Sequence, residues 1–274
     1  MRRPVFLSPM NATPDIQLQR HLAWWRWSGF FLGCAAFFLS FFHRVCTGAI
    51  AGDLQREFEM GAAALGTLGA TYFYIYGLTQ VPLGVLIDTI GPRKILWVGM
   101  TVAGIGSLAY GYSGSFGAAL ASRTLIGLGV SGVFVSTLKL HANWFSDQRF
   151  ATAVGVSNVS GILGALAATA PLAWLVTQVP WRTVFVAIGV ISIVLAAAIA
   201  LFVRDAPQSS GNRVAAGEWR SALKAVALNR ATWPPFWLTF SMSGAFMTLV
   251  SLWTAPTSCT STDCRKSRPA VIRR

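Results

Sequence analysis

Seven long apolar runs, each bounded by charged or turn-forming residues, organise the chain. They fall at 27–51, 63–87, 95–112, 118–140, 152–177, 183–203 and 232–253. Most have the roughly 20 residues that a helix needs to cross about 30 Å of hydrocarbon. No segment alternates with period two over the length of a barrel strand, so transmembrane strands are not expected. The first run is too long for a cleaved signal peptide, carries polar residues near its end and precedes further spans. The pattern predicts an all-α integral membrane protein whose backbone polar groups are satisfied within each helix.

Composition supports this. Of 274 residues, 54% are hydrophobic and only 11% charged, against about 25% charged in a soluble domain. A formal net charge of +13 would suit a nucleic-acid binder, but the bases sit in connectors between apolar runs and form no basic face. The bilayer is therefore the expected partner, with no nucleic acid. The bases also set a direction. With the N-terminus in the cytoplasm, Arg2, Arg3, Arg20, Arg26, Arg93, Lys94, Lys139, Arg149, Arg204, Arg213, Arg220, Lys224 and Arg230 all fall inside. The outer loops before the seventh run then hold only Arg56 and Arg182, a strong positive-inside asymmetry. Trp24, Trp25, Trp27, Trp97, Trp144 and Trp181 fall near the expected interfaces, where indoles prefer to sit. Cys34, Cys46, Cys259 and Cys264 show no metal-ligand spacing with histidine and no disulfide framework.

The connector between the second and third runs reads Gly84-Val85-Leu86-Ile87-Asp88-Thr89-Ile90-Gly91-Pro92-Arg93-Lys94. Gly84 allows a close helix approach. Asp88 at the membrane edge can cap or face a helix N-terminus. Gly91 permits a tight turn, and Arg93 and Lys94 hold the loop inside. The segment resembles the signature loop of the major facilitator superfamily, G-x-L-x-D-[RK]-x-G-[RK]-[RK]. Gly84, Leu86, Asp88, Gly91 and Arg93 match; Thr89 and Pro92 depart from positions that are usually basic. Arg123, Gly127 and Gly129 are similar to the family's R-x-x-x-G-x-G pattern in the fourth helix, and Trp181-Arg182 with Phe185 to the start of its sixth. The resemblance implies an N-terminal six-helix bundle with 3+3 inverted repeats, half of a twelve-helix fold with its solute site between the halves. It also implies secondary transport by alternating access. The fifth run lacks the G-P-x-x-G-G sequence of the family's antiporters, which favours a symporter or uniporter.

Candidate pathway residues follow from polarity inside the runs. No Asp or Glu lies in a span interior. His43, Arg44 and Arg123 are the ionisable groups there, and buried arginines face a cavity or a partner. With no acid in these spans, a small organic anion is one candidate partner for Arg44 and Arg123; snorkelling or bonding to carbonyls is the alternative. His43 could carry a proton or serve as an interfacial hydrogen-bonding group, and a coupling proton is admitted as a second cargo. Tyr72, Tyr76 and Gln80 share one face of the second helix, lining a wet cavity or bonding neighbouring helices. Asn158 and Ser157 are weaker candidates of the same kind. Gly127, Gly129, Gly132, Gly161 and Gly164 are expected to serve close helix packing. No catalytic motif, phosphate-binding loop, cofactor or metal site is expected from the sequence, which favours a secondary transporter over a pump or a membrane enzyme.

The expected organisation is a cytoplasmic tail at 1–26, a six-helix bundle at 27–203, a central loop at 204–231, a seventh helix at 232–256 and a polar tail at 257–274. Within the central loop, Trp219, Leu223 and Val226 share a helical face, giving a short surface helix or a solvated linker. The tail adds Arg265, Lys266, Arg268, Arg273 and Arg274 on the disfavoured side of the seventh span. That reads as a truncated or shifted reading frame, with a C-terminal half normally required. A non-transporting membrane fragment is the alternative to a transporter.

Overall fold

The computed structural model of the protein describes residues 16–205, 224, 228–242 and 245, with side chains described from Ala23 to Asp205 and at those later positions. The chain divides into two compact units, Met1–Val214 and Ala215–Arg274. The described part of the first unit is all helix and connector. Its elements are α1 (Ile16–Ala49), α2 (Ala51–Glu57), α3 (Ala62–Ile90), α4 (Pro92–Gly111), α5 (Phe116–Ser131), α6 (Val133–Trp144), α7 (Asp147–Ala167), α8 (Ala170–Gln178) and α9 (Trp181–Phe202). In the second unit a 3₁₀ turn at Arg230–Thr232 leads into helix at 233–242. Most of the predicted surface helix around 219–226, the end of the seventh run and the tail at 257–274 lie outside the described residues.

Helices cover the first six apolar runs, but with shifted ends. α1 begins at Ile16, well ahead of the predicted Trp27, so part of the expected N-terminal tail is helical. The aromatic and basic residues before Trp27 are good interfacial helix formers, and the hydrocarbon-length segment proper is Ala23–Ala49. α5 and α6 read as one 29-residue span, because Gly132 keeps helical dihedrals between them. The fifth run instead breaks at Ala168–Thr169. Pro171 opens α8, and a proline there has no N–H to return to the preceding turn. Among the described residues, five helices are long and apolar enough to cross a membrane. α4, with its Arg93-Lys94 start and several glycines, falls outside that group.

α4 lies between α5 and α9, and these are the most extensive helix pairings, followed by α1 on α7 and α3 on α5. Glycine makes the α4 contacts possible. A Cβ at Gly104 would stand 3.0 Å from the Gly189 carbonyl oxygen, and one at Gly111 2.9 Å from that of Arg182, both on α9. On its other side, a Cβ at Gly99 would be 2.5 Å from the Gly129 carbonyl oxygen of α5. The same logic joins α1 to α7, where a Cβ at Gly164 would lie 2.1 Å from the Phe38 oxygen. Without a hydrophobic drive between helices in lipid, such backbone approach supplies the van der Waals contact that holds spans together. Gly129, Gly132, Gly161 and Gly164 thus pack as expected, whereas Gly127 meets only ordinary contacts.

Candidate functional site

Near the end of the bundle remote from the Gly84–Lys94 hairpin, α1, α3 and α5 converge on one arginine. Arg123 is 1% exposed. Its Nη2 donates to the His43 carbonyl oxygen of α1 at 2.7 Å, and its Nη1 to Cys46 Sγ at 3.6 Å. The guanidinium carbon is 5.4 Å from the centre of the Tyr72 ring. Tyr72 in turn donates its hydroxyl to the Ser40 carbonyl oxygen at 3.3 Å. Beside this group stands Arg44, half-buried, with its guanidinium carbon 4.8 Å from the Phe41 ring and 5.0 Å from the Tyr76 ring. Tyr76 stacks on Tyr72, with rings 16° from parallel.

The electrostatics of this group are one-sided. Among the described residues, ion pairs join Asp53 to Arg56, Asp88 to Lys139 and Glu57 to Arg182, and none reaches Arg44 or Arg123. Several buried polar atoms here also have no hydrogen-bond partner: both His43 ring nitrogens, Arg44 Nε, Arg123 Nε, Thr47 Oγ1 and the Tyr110 hydroxyl. A buried and a half-buried guanidinium without a carboxylate, beside hydroxyl and imidazole groups that lack partners, form a setting that an anion would satisfy.

The structure brings Arg44, Arg123, Tyr72 and Tyr76 together. Gln80 lies farther along α3 and donates to the Ser131 carbonyl oxygen at 3.2 Å, tying α3 to the end of α5. Arg123, Tyr72 and Gln80 therefore all bond neighbouring helices, as one of the two sequence alternatives allowed. Asn158 does not join the arginine group. It is exposed on α7 and borders a cavity of about 10 Å³ with Thr137, His141 and Ser157. Ser157, by contrast, is buried and pairs with His141 Nε2 at 2.7 Å and with Cys34 Sγ at 3.4 Å. A larger groove between α8 and α9, of about 350 Å³, is lined, apart from Thr183, by apolar side chains such as Leu172, Val184 and Ile188 and holds no charged group for an anion.

At the hairpin end, two expectations are corrected. Asp88 does not face a helix N-terminus; it pairs with Lys139 of α6. It sits in the last turn of α3, and the α4 N-terminus is already taken by Asp205, whose Oδ1 accepts from the Arg93 backbone N–H at 3.2 Å. No helix among the described residues approaches Gly84, where an added Cβ would meet nothing within 4 Å. Gly91 does turn the chain, at φ 103°. Arg93 donates to the Ala200 carbonyl oxygen of α9, while Lys94 is exposed. Thr89, in the family's basic position, bonds back to the Val85 carbonyl oxygen of its own helix.

Sequence reasoning missed four participants: Cys46, Tyr110, Glu57 and Asp205. At the far end Glu57 accepts from Trp181 Nε1 at 2.6 Å and from Arg182 Nε at 2.8 Å, and Arg182 also donates to the Gly111 carbonyl oxygen at 3.0 Å. An acid in the short connector between the first two apolar runs was the available signal for Glu57. Only the three-dimensional structure pairs it with the Trp181-Arg182 dipeptide.

Comparison with known proteins shows the family. The chain is 25% identical over 215 residues to the probable sulfoacetate transporter SauU of Cupriavidus necator, covering 75% of this chain and 50% of that protein. It is 27% identical over 143 residues to the probable L-galactonate transporter of Escherichia coli, covering 52% of this chain and 32% of that one. The chain therefore spans half or less of the length of these curated relatives. Among solved structures, a bacterial homologue of the human lysosomal transporter Spinster, inward-facing and unoccupied, superposes with a TM-score of 0.59 at 20% identity over 67% of this chain and 44% of that one. The family model for the Major Facilitator Superfamily matches residues 25–258. The chain belongs to the Major Facilitator Superfamily, has its all-α membrane-spanning fold, and is a transporter-family protein, not an enzyme.

Proposed function

We propose that this chain contributes to secondary active transport of a small organic anion. Arg44 and Arg123 supply the positive charge and Tyr72 and Tyr76 the aromatic wall of the solute site. The observation that carries the reading is the pair of arginines without a carboxylate partner among the described residues, held within the bundle by aromatic rings and carbonyls. The names of the relatives support it: sulfoacetate and L-galactonate are both organic anions. Arg44 is the first-contact residue because it is half-buried and its Nε is unpartnered. Arg123 is bonded to α1 and would exchange a carbonyl for the anion as the bundle moves. In this reading the bundle comprises two inverted three-helix repeats and rocks against a second bundle. It lies in the cell inner membrane with the N-terminus cytoplasmic, and a coupling proton moves with the solute as in a symporter. The hairpin residues Gly84, Asp88, Gly91, Arg93 and Lys94 act in the conformational change, not in solute contact.

The second reading is a membrane fragment that does not transport by itself. It is favoured by α3, where only 6% of the most apolar window is buried among the described residues, leaving a face with room for another bundle. Uptake of radiolabelled sulfoacetate and galactonate into proteoliposomes separates the two. Saturable uptake lost in Arg44→Gln supports the first, and uptake equal to empty liposomes supports the second.

A further inference from the structure

The end of α9 carries a set of bonds that the solute site does not use. A helix leaves its last four carbonyls without intrahelical partners. Here each outgoing carbonyl that receives a side chain receives it from a different element. Arg93 of α4 donates to Ala200, Ser28 of α1 donates to Phe202 at 2.7 Å, and Trp144 Nε1 of α6 donates to Arg204 at 2.9 Å. The Arg204 guanidinium lies 4.2 Å from the Trp25 ring centre. Three further helices are thus fastened to the exit of α9.

The return bond comes from Asp205. α4 cannot cap itself, because Gly91 has no side chain and Pro92 has no N–H. Asp205, arriving from beyond α9, fills that place. Its Oδ1 takes the Arg93 N–H, and its Oδ2 lies over Gly91 so closely that a Cβ there would be 2.9 Å away. A carboxylate at a helix N-terminus and a guanidinium at a helix C-terminus are each stabilised by the backbone dipoles. The antiparallel α4 and α9 therefore cap each other, base to C-terminus and acid to N-terminus, across the signature hairpin.

We propose that Asp205 is a positioning residue for the signature hairpin. By serving as the borrowed cap of α4, it fixes the turn at Gly91, so that Asp88 reaches Lys139 and Arg93 reaches α9, and it sets the rate of conformational exchange without touching the solute. The role rests on the transport reading for its consequence, but not for its geometry.

Two measurements on the full chain in lipid nanodiscs and proteoliposomes test it. In hydrogen exchange, Asp205→Ala raises exchange at the Arg93 amide at least about tenfold, the scale of a lost hydrogen bond to a charged group. Asp205→Asn, which keeps an acceptor oxygen, raises it less. In uptake, Asp205→Ala lowers kcat about tenfold with KM within about twofold, and Asp205→Glu restores part of the loss. Unchanged exchange at Arg93 in Asp205→Ala overturns the proposal, as does a KM effect with kcat intact. A wild-type chain without uptake defeats the transport reading instead, and exchange at Arg93 then decides the cap alone.

Discussion

α4 and α3 are both glycine-rich helices, and their glycines do opposite things. In α4, Gly99 and Gly106 meet α5 while Gly104 and Gly111 meet α9, each pair about two helical turns apart. Every one of those positions would place a Cβ within 3.0 Å of a neighbouring atom, most often a backbone oxygen or nitrogen. In α3, Gly66, Gly77 and Gly84 also recur at about three and about two turns, with Gly69 beside them. A Cβ added at any of them would meet no atom of another element within 4 Å among the described residues. Around them Phe73, Tyr74, Leu78, Val81 and Leu86 are exposed. One helix uses small residues to close the bundle. The other displays the same kind of surface with nothing against it among the described residues.

The largest expected effect tests the closed side. Gly129→Ala puts a methyl group 2.4 Å from the Ala103 nitrogen and 2.5 Å from the Gly99 oxygen. Both are backbone atoms that cannot rotate away, so α4 and α5 must separate. Overpacking of this kind costs about 1–3 kcal/mol, and Gly164→Ala, against Phe38 backbone, is expected to cost as much. Thermal unfolding in detergent reads it, and a melting temperature unchanged in both variants would dissolve the distinction between the two helices.

Those contacts show which features the sequence carried. The helical character of the first six apolar runs and the place of the signature hairpin were legible because long apolar runs and a short charged hairpin are local patterns. Arg44, Tyr72, Tyr76 and Arg123 could be named as candidates, since each is a polar exception on an apolar helix, but Gln80 and Asn158 qualified on the same ground and lie apart from them. Pairing was not. Asp88 could be given a helix terminus from its place in the chain, yet Lys139 and Asp205 compete for the two roles from 51 and 112 residues away relative to Asp88 and Arg93. Gly99, Gly104, Gly106 and Gly111 carried no individual signal, because a glycine against a neighbouring backbone and a glycine facing open space look identical in sequence.

A smaller effect is expected at the far end of α4. Glu57→Gln keeps one acceptor for Trp181 Nε1 but removes the charge that faces Arg182. With the two side chains 38% and 30% exposed, solvent screening limits the loss to about 1 kcal/mol. Gly111 remains bonded to Arg182 in that variant, so α4 and α9 stay together and only α2 loosens. Chemical denaturation comparing Glu57→Gln with Arg182→Gln checks this, and the arginine variant should lose more because it also abandons the Gly111 carbonyl.

Tyr72→Phe comes next. It removes one bond to the Ser40 oxygen while leaving the ring over Arg123 and against Tyr76. Interhelical hydrogen bonds in membranes average about 0.6 kcal/mol, so stability should fall by about that amount. If the pair Tyr72–Arg123 serves the solute, KM for the anion rises because Arg123 has lost a neighbour that holds α3 to α1. A KM unchanged within error would restrict Tyr72 to packing.

The smallest effect on stability, and the sharpest test of the open side, is expected at Gly77→Ala and Gly84→Ala. An added methyl group meets no atom of the described bundle, so its melting temperature should move by no more than the equivalent of about 0.5 kcal/mol, and alanine's better helix propensity works in its favour. A bundle that works alone would then show unchanged uptake. If α3 instead receives another helix during transport, as small-residue faces do in lipid, the same methyl groups hold that helix off and uptake falls while stability does not. Gly129→Ala cannot make this separation, because it damages the fold first. Only positions where glycine touches nothing can distinguish a surface that lies idle from one that waits for a partner.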